Sequence, residues 1–370
     1  MLENKRTILY IGGFVLPDKN AAAQRVIANA KAMRALGYDV QFLSALKNGD
    51  AEEAGWKTYY GFPCCVYPYE GNFDYLITAK TVLHFIREQK PSAVIAYNYP
   101  GAALTRILQY CHTHNIRCFA DATEWYQTSR NIIFRIIKNT DTYIRMQKAH
   151  FRMDGVIAIS DYLYQYYKDK VPNTVKIPPL VDMQEEKWTN ADAPGNGCVT
   201  FIYCGSPSGL KERLDVIVQG IDALSGNRNV LLNIVGITKE QFTQIYPNVS
   251  ALPDCVHFLG RVSHTEAIQK VQEASWSIII RDNNLVVKAG FPTKLVESIS
   301  CGTPVIVNRF SNVCEYLDGT NSIVIDDTEK IGEALEKACE ISLHPDKKQF
   351  DYHSFLGEFQ KLLENETGIQ

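Results

Sequence analysis

Residues 276–307 read WSIIIRDNNLVVKAGFPTKLVESISCGTPVIV and say more about the fold of this 370-residue chain than any other segment. A buried strand rich in isoleucine ends at Arg281 and Asp282, and a loop then leads to Pro292. Proline is common at the start of a helix and glycine just beyond its end, so a helix is predicted between Pro292 and Gly302. Strand, helix and strand in this order predict a parallel sheet, which binds ligands in the loops at the carboxyl ends of its strands.

Short apolar runs alternate with longer amphipathic segments through the rest of the chain. Runs rich in Val, Ile, Tyr and Phe are typical of strands buried on both faces of a parallel sheet. Those of the first half are Thr7–Ile11, Val40–Ser44, Ala93–Tyr97, Arg117–Ala120 and Gly155–Ile159. Those of the second half are Val199–Cys204, Val230–Val235, Val256–Leu259, Trp276–Ile280, Thr303–Val307 and Ser322–Ile325. The predicted fold class is α/β, with two doubly wound, Rossmann-like domains.

The chain is long enough for two domains of about 150 residues each. The polar segment 183–197 lacks periodicity and is predicted to be the linker. It separates an N-terminal domain, residues 1–182, from a C-terminal domain, residues 198–346. A last amphipathic stretch within residues 347–370 presents Phe355, Phe359 and Leu362 on one face and is predicted to pack back on the first domain.

Charge separates the two halves. The net charge of −3 argues against a general nucleic-acid binder. Residues 1–190 carry 23 lysines and arginines against 18 acidic residues, whereas the remainder carries 15 against 23. The basic excess lies largely in residues 130–152, whose cations stand among Ile, Phe, Tyr and Met. This segment is either a core-facing helix with a solvated basic face or a surface for an anionic membrane or a phosphate-bearing acceptor.

Cysteine usage and the N-terminal sequence favour a cytoplasmic protein. The ten cysteines are scattered, and the N-terminus has no cleavable signal pattern. No segment approaches the ~18 apolar residues of a membrane span, so we expect any membrane contact to be peripheral, at the inner face of the plasma membrane. Cys111, His112, His114 and Cys118 follow no zinc spacing and are interpreted as a helix end. The adjacent Cys64 and Cys65 are interpreted as part of a strand.

Two predicted strand-to-helix turns carry glycine. Gly12 and Gly13 follow the first strand, where they either form a tight turn or let a ligand approach the helix N-terminus. The full G-x-G-x-x-G pattern is absent, which argues against a nicotinamide dehydrogenase. Gly205 and Ser206 begin the second turn, which leads to Lys211. A lysine beside unpaired backbone N–H groups suits a diphosphate, although exposed lysines are common on any surface.

With these elements the chain resembles the retaining, nucleotide-sugar-dependent glycosyltransferases of the GT-B fold, the group 1 or family 4-like enzymes. The resemblance is carried by the turn with Lys211, by HFLGRVS at His257–Ser263 and by GFPTKLVESISCGTPVI at Gly290–Ile306. The segment from Gly12 to Ser44 is similar to the family's glycine loop and first helix. The resemblance implies two Rossmann-like domains that face each other across a cleft, with a C-terminal helix that crosses back to the first.

The resemblance also implies which residues bind the donor. Lys211 would meet the donor diphosphate, Glu297 the ribose hydroxyls, and Arg261 and Val262 the base. A carboxylate can accept two hydroxyl hydrogen bonds, and a lysine offsets the charge that builds on a leaving diphosphate. The implied donor-binding set is Gly12, Gly13, Gly205, Ser206, Lys211, Arg261, Val262, Gly290, Phe291, Pro292, Thr293, Lys294 and Glu297.

Polar residues after two strands of the first half are candidates for the acceptor side, namely Tyr97, Asn98, Glu124 and Trp125. Glu124 could orient or deprotonate an acceptor hydroxyl with support from Asp121. The alternative is a capping box in which Asp121 caps a helix and Glu124 follows three residues on. The candidate catalytic residues are then Lys211, Glu124, Asp121 and Arg281.

Two positions depart from the family pattern. Ala289 stands where a first Glu is usual, and Ser206 where an Arg commonly follows the glycine, so Arg281 or Lys294 would have to supply positive charge. An epimerase of the same fold and a non-catalytic sugar-nucleotide-binding protein therefore remain alternatives. No Asp-x-Asp occurs, which removes the usual carboxylate pair for a metal on a sugar diphosphate. We expect no metal or other cofactor beyond the nucleotide sugar, a glycan or lipid-linked acceptor, and a role in bacterial surface polysaccharide or lipopolysaccharide biosynthesis.

Overall fold

The computed structural model describes residues 6–17, 20–47, 54–69, 73–125, 132–188, 197–205, 207, 211–249, 252–310 and 313–364. The chain divides into two units. The first comprises Met1–Leu180 and Tyr352–Gln370, and the second comprises Val181–Asp351. The chain therefore leaves the first unit once and returns to it at its C-terminal end.

The first unit is built on an eight-stranded sheet. Its strands are β1 (Thr7–Gly12), β2 (Asp39–Lys47), β3 (Gly55–Tyr59), β4 (Phe62–Tyr69), β5 (Ala93–Tyr97), β6 (Arg117–Ala122), β7 (Gly155–Ala158) and β8 (Thr174–Lys176), in the spatial order 3-4-2-1-5-6-7-8. Within the described chain, only β3 and β4 pair antiparallel. The helices up to β8 are α1 (Ala21–Ala35), α2 (Lys80–Gln89), α3 (Gly101–Thr113), α4 (Ile132–Tyr143) and α5 (Asp161–Tyr167).

The second unit carries a six-stranded parallel sheet. Its strands are β9 (Val199–Cys204), β10 (Val230–Val235), β11 (Val256–Gly260), β12 (Trp276–Ile279), β13 (Val305–Asn308) and β14 (Ser322–Ile325), in the order 11-10-9-12-13-14. Its helices are α6 (Leu214–Ser225), α7 (Lys239–Ile245), α8 (His264–Gln272), α9 (Leu285–Ala289), α10 (Thr293–Cys301) and α11 (Ile331–Ala338). Trp276 is buried and donates its indole N–H to the carbonyl of Ala338 at 3.0 Å, which fixes α11 against β12.

The predicted fold class is confirmed, since every predicted strand overlaps an observed one. Sequence patterning missed β3 and β8. Burial alternates along β3, which lies at the sheet edge, and β8 has only three residues, too few for a period to be recognised. Cys64 and Cys65 lie in β4, as predicted, and His112 and His114 stand at the end of α3.

The polar segment expected to be a linker begins as part of the second unit. Met183 donates its backbone N–H to the Asp351 carboxylate at 2.9 Å, and Trp188 is buried in a 3₁₀ turn, Glu186–Trp188. Residues 189–196 of the segment lie outside the described residues.

The C-terminal helix packs on the first unit, as predicted. This helix, α12 (Leu356–Glu364), buries Phe359 and Leu362 completely in the same core as Tyr10 and Val26. Arg117 of β6 also donates a hydrogen bond to the carbonyl of Leu363.

The structure disagrees with one of the two interpretations of the basic segment 130–152. Helix α4 ends at Tyr143, a π-helical turn follows to Ala149, and a 3₁₀ turn ends at Arg152. Arg145 is buried, whereas the isoleucines of α4 are exposed. The interpretation as a core-facing helix with a solvated basic face is therefore wrong for α4. Arg130 lies outside the described residues, and no helix within the described ranges is long and apolar enough to cross a membrane.

Candidate functional site

The second unit has its topological switch point between β9 and β12. From β9 the chain builds β10 and β11 on one side and β12, β13 and β14 on the other. Loops leave the carboxyl ends of β9 and β12 in opposite directions, and open α/β sheets bind ligands in the crevice that results. The predicted donor-side residues from Gly205 onward follow β9, β11 and β12 in the chain or belong to α10.

A buried ionic cluster occupies this switch point. The Glu212 carboxylate accepts a hydrogen bond from Arg281 Nη2 at 2.9 Å and lies 3.5 Å from Lys294 Nζ. Lys294 Nζ in turn donates to the Tyr203 hydroxyl at 2.7 Å. Two cations thus share one carboxylate, which leaves a net charge of +1 when both are protonated. Arg281 Nε is buried as well, and no described residue accepts its hydrogen.

Burial tunes the two groups that face each other across this cluster. Desolvation lowers the pKa of Lys294 to about 8, although the Glu212 carboxylate opposes the shift. Burial also raises the pKa of the Tyr203 hydroxyl well above its usual value, and the charge of Glu212 adds to that effect. The charge of the cluster therefore changes near pH 8, because Lys294 gains or loses a proton there while the Tyr203 hydroxyl stays protonated.

Lys211 is held beside the cluster by its backbone. Its carbonyl accepts from Asp282 N at 3.0 Å, and Arg213 N donates to Ile280 O at 2.9 Å. Residues 211–213 thereby lie antiparallel to the continuation of β12, with Glu212 bridged to Arg281. The structure brings Lys211, Arg281 and Lys294 to the carboxyl ends of β9 and β12, while Ser206 lies outside the described residues.

Three glycines line the ends of neighbouring strands. Gly205 N donates to Val235 O at 2.8 Å and Gly236 N to Gly260 O at 2.7 Å. A Cβ on Gly205 would lie 2.2 Å from Lys294 Cε, and one on Gly236 would lie 2.3 Å from Gly205 O. Side chains are therefore excluded where β9 and β10 end, because Lys294 and the backbone of Gly205 already occupy the space.

A cavity of about 510 Å³ opens next to these glycines. It is lined by Gly236, by Arg261 after β11, and by Thr238, Gln241 and Gln244 around the start of α7. Thr238 and Gln241 form a capping box, with Gln241 Oε1 accepting from Thr238 N at 2.9 Å. Arg261, predicted to lie along the base, is exposed at this cavity, and Val262 beside it is half-buried.

Glu297 and Lys294 share one face of α10, because they are three residues apart. Glu297 Oε1 contacts His264 Nε2 at 3.2 Å, and both side chains are largely buried. Burial raises the pKa of the Cys204 thiol to about 12, and the nearby charge of Glu297 adds to the shift. The carboxylate predicted for ribose hydroxyls is therefore positioned by a histidine at the first turn of α8.

In the loop before α10, the backbone is better placed than the side chains to contact a ligand. Phe291 is buried against Tyr316 and Phe350 in edge-to-face contacts, and Pro292 is the N-terminal cap of α10. Gly290 precedes them in extended conformation, and Thr293 begins the helix half-buried. Ala289 is completely buried in α9, so no carboxylate stands where the family usually has its first Glu.

Asp121 has a different environment from either predicted one. It lies within β6 and is fully buried, so it caps no helix. Its carboxylate accepts from Arg25 Nη2 at 2.7 Å and from the Tyr10 hydroxyl at 2.5 Å. Arg25 also donates to the carbonyls of Ile177 and Pro178, both at 3.1 Å. This arrangement is a buried ion pair, and none of these contacts joins Asp121 to Glu124.

The predicted acceptor-side residues meet where β5 and β6 end. Asn98 Nδ2 donates to Thr123 Oγ1 at 2.5 Å, and Thr123 N donates to Asn98 Oδ1 at 3.1 Å. Burial raises the pKa of Tyr97 to about 12, and the charges of Asp121 and Glu124 contribute. Trp125 instead packs edge-to-face on Tyr162 and Tyr166 of α5.

Gly12 and Gly13 lie where neighbouring atoms leave little room for a side chain, and their backbone angles are ordinary. Neither adopts positive φ. A Cβ on Gly12 would lie 3.0 Å from Tyr97 Cβ, and one on Gly13 would lie 3.3 Å from the Tyr75 hydroxyl. The first strand thus ends against tyrosine side chains at the switch point of the first sheet, between β1 and β5.

Sequence reasoning missed four residues of the second unit's site. Glu212, His264, Tyr203 and Gly236 each lie beside a predicted residue in space. A glutamate next to Lys211 and a histidine after a helix cap carry no distinctive pattern, because such residues are common on any helical surface. Within the described residues, no group of three or more His, Cys, Asp or Glu is arranged to hold a metal.

Residues 198–340 match the family model of the glycosyl transferases group 1. The match runs from the start of β9 to just beyond α11 and includes Lys211, Arg261, Lys294 and Glu297. A comparison of the sequence with curated proteins gives no match.

Solved structures extend the likeness to the whole chain. HepE from Anabaena in complex with UDP-glucose has a TM-score of 0.67 at 13% identity and covers 97% of this chain and 100% of its own. The lipopolysaccharide outer core galactosyltransferase WaaB has a TM-score of 0.66 at 13% identity, with 97% and 100% covered. Sucrose-phosphate synthase from Thermosynechococcus elongatus reaches 0.66 at 14% identity, with 96% and 94% covered. At these identities the likeness establishes the two-domain GT-B fold.

Proposed function

We propose that this chain, whose residues 198–340 match the glycosyl transferases group 1 model and whose fold is GT-B, is a glycosyltransferase that moves a sugar from a nucleotide diphosphate sugar to an acceptor hydroxyl with retention. The observation that carries the proposal is the positive charge at the ends of β9 and β12. There Arg281 and Lys294 contact the buried carboxylate of Glu212, and the backbone of the preceding residue, Lys211, is hydrogen-bonded to Asp282. A leaving diphosphate is the anion that such preorganised charge would stabilise.

Donor recognition would use residues around this charge. Glu297 would accept ribose hydroxyls with the carboxylate oxygen that His264 does not contact. The base would lie along Arg261 and Val262, at the cavity lined by Gly236 and Gln241. UDP-glucose is present in the HepE complex, which has the same fold, and a donor of this class is consistent with the cavity. Gly12 and Gly13 remain the proposed donor contacts of the first unit.

The acceptor would be received by the first unit. Glu124, near Tyr97 and the pair of Asn98 and Thr123, is the proposed residue that orients or deprotonates the acceptor hydroxyl. Asp121 has no part in this proposal, because its carboxylate is committed to Arg25 and Tyr10. Trp125 would contribute an aromatic wall rather than a polar contact.

Product formation from a panel of nucleotide sugars and glycan acceptors, followed by mass spectrometry, tests the activity. Lys211→Ala and Glu297→Ala should each reduce transfer by roughly 10²–10³-fold, as loss of one preorganised contact to the transition state does. Lys239→Ala, which removes an exposed lysine at the start of α7, is the matched control and should leave transfer unchanged. Full activity of both site variants would overturn the assignment of the donor site.

The burial of Ala289 favours one alternative. Without a carboxylate at that position, the unit could hold a sugar nucleotide and transfer nothing. A donor that binds but gives no product with any acceptor, and no altered sugar when incubated alone, would support this alternative. An altered sugar in the donor-only reaction would support an epimerase.

We place the reaction in bacterial surface polysaccharide or lipopolysaccharide biosynthesis, with a lipid-linked glycan as acceptor at the inner face of the plasma membrane. WaaB, one of the structures of the same fold, is a lipopolysaccharide galactosyltransferase. The basic segment after Arg130 supports a membrane location, because cations near a surface favour anionic lipids. Extracted lipid-linked saccharides as acceptors test this placement, and transfer only to water-soluble acceptors would contradict it.

A further inference from the structure

Helix α4 turns its apolar side away from the protein. Ile132, Ile133, Ile136 and Ile137 are exposed by 65%, 71%, 59% and 59% of their surface. At 100° per residue, these four side chains fall within an arc of about 140° on one side of the helix. We call them the isoleucine face. Clustered exposed apolar side chains of this size mark an interaction site rather than ordinary surface.

Two polar residues at the end of α4 meet the protein. Thr142 is buried, and the Asp141 carboxylate accepts from Gly101 N at 2.8 Å. Helices of soluble proteins have the reverse arrangement, with apolar residues inward. The isoleucine face therefore does not serve the core of the first unit.

Backbone contact holds α4 in this orientation. A Cβ on Gly101, the first residue of α3, would lie 2.8 Å from Asp141 O and 2.6 Å from Arg145 N. Only glycine allows α3 to approach the end of α4 and the following turn so closely. Arg145 and Met146 of that turn are buried, which anchors it further.

We propose that the isoleucine face inserts into the headgroup region of an anionic bilayer. The exposed cations of the same segment, Arg135, Lys148 and Arg152, would meet the lipid phosphates. Asp141, the acidic residue of this segment, is already bound to Gly101 N. Two copies of the chain that joined these faces would bring like charges together, so charge favours a bilayer over a second copy.

A second apolar set supports the same partner. Phe73 is exposed by 69%, and Leu76 and Ile77 of the following π-helical turn by 39% and 37%. This turn packs on α3, as α4 does, and Arg106 of α3 donates to Ile77 O at 2.8 Å. The exposed Arg106 adds a cation beside exposed apolar side chains.

This inference deepens the proposed function, because a face that enters the bilayer would bring the first unit to a lipid-linked acceptor. It also specifies the contact. Arg145 is buried and is not available to lipid. The predicted membrane surface of residues 130–152 is thereby narrowed to an apolar face with exposed cations in the same segment.

Flotation of the full chain with vesicles tests the proposal. Wild-type protein should float with phosphatidylcholine–phosphatidylglycerol vesicles and much less with phosphatidylcholine alone. Ile133→Asn/Ile137→Asn should reduce the floated fraction at least tenfold, whereas Arg135→Gln/Lys148→Gln should weaken chiefly the dependence on anionic lipid. Leu259→Asn, at a 38% exposed position of β11, is the matched control and should float as the wild type does.

The outcomes separate this proposal from the proposed function. Wild type that stays in the bottom fraction at low salt, or an isoleucine variant that floats normally, would overturn it. A concentration-dependent dimer that the same variant abolishes would identify a second copy as the occupant and would also overturn it. Transfer to a water-soluble acceptor should be unchanged in the isoleucine variant, so an inactive protein that still floats would contradict the proposed function alone.

Discussion

Glu212 is the residue that allows two cations to be buried at the end of β9. Sequence patterning singled out Arg281 and Lys294 as cations near a diphosphate, and both lie at the switch point. It could not reveal that they share one carboxylate, because Glu212 and Lys294 are 82 residues apart and meet only in the folded sheet. Asp121 illustrates the same limit, since its partner Arg25 is 96 residues away.

Replacement of Glu212 by Ala should destabilise the second unit by about 3–5 kcal/mol, because it leaves Arg281 and Lys294 buried without their counter-ion. Asp215→Asn, which breaks a more exposed pair with Arg213, should cost about 0–1 kcal/mol. Chemical denaturation followed by circular dichroism measures both. Equal losses in the two variants would mean that the cluster is no more than a surface ion pair.

Donor affinity should weaken as the pH rises through about 8. Burial lowers the pKa of Lys294 to about 8, and deprotonation there takes the cluster with Arg281 and Glu212 from +1 to neutral. The attraction to a diphosphate is therefore fully present below pH 8 and is lost above it. Titration calorimetry between pH 6.5 and 9.5 would measure this, with Lys294→Met expected to bind more weakly and to show a flatter profile. An equally steep decline in that variant would assign the pH dependence to another group.

The strand ends of the second unit depend on glycine as much as on charge. Gly205 adopts φ of +145° and Gly236 φ of +113°, and each lies too close to a neighbour for a Cβ. Gly205→Ala and Gly236→Ala should each cost more than about 1 kcal/mol, through strain at positive φ and displacement of Lys294 or of the adjacent backbone. Gly332→Ala in α11, where no atom lies within 4 Å of the added Cβ, should instead stabilise by roughly 0.5–1 kcal/mol. Thermal unfolding distinguishes the two directions.

At the level of elements, sequence patterning succeeded where burial was uniform. Strands β7, β12 and β13 are buried along their whole length, so their apolar runs were easily recognised, and β5, β9, β10 and β14 match their predicted bounds. It failed at the edge strand β3, at the three-residue strand β8 and at α4, whose amphipathic pattern was recognised but whose orientation was not. Periodicity shows that a helix has an apolar side, but it does not show whether that side faces the core or the solvent.

The chain forms two units, and its last helix, α12, belongs to the core of the first unit. Leu362 of α12 is completely buried in the core that contains Tyr10 of β1. Leu362→Ala should lower the stability of the first unit by about 2–5 kcal/mol, whereas Lys361→Ala, exposed on the same helix, should change it by about 0.5 kcal/mol or less. Hydrogen exchange with peptide resolution would show increased exchange in residues 6–176 only. Increased exchange in β9–β14 as well would indicate that the two units unfold together.

For the whole molecule, we propose that the second unit binds a nucleotide diphosphate sugar where β9 and β12 end. Thermal-shift measurement against a panel of nucleotide sugars tests it most directly, because a ligand that binds only the folded state stabilises by about 2.7 kcal/mol at a hundred times its Kd. One donor should raise the melting temperature of the wild type and of Lys239→Ala, whereas Lys211→Ala and Glu297→Ala should lose the shift. No shift with any nucleotide sugar, or an undiminished shift in both site variants, would contradict it.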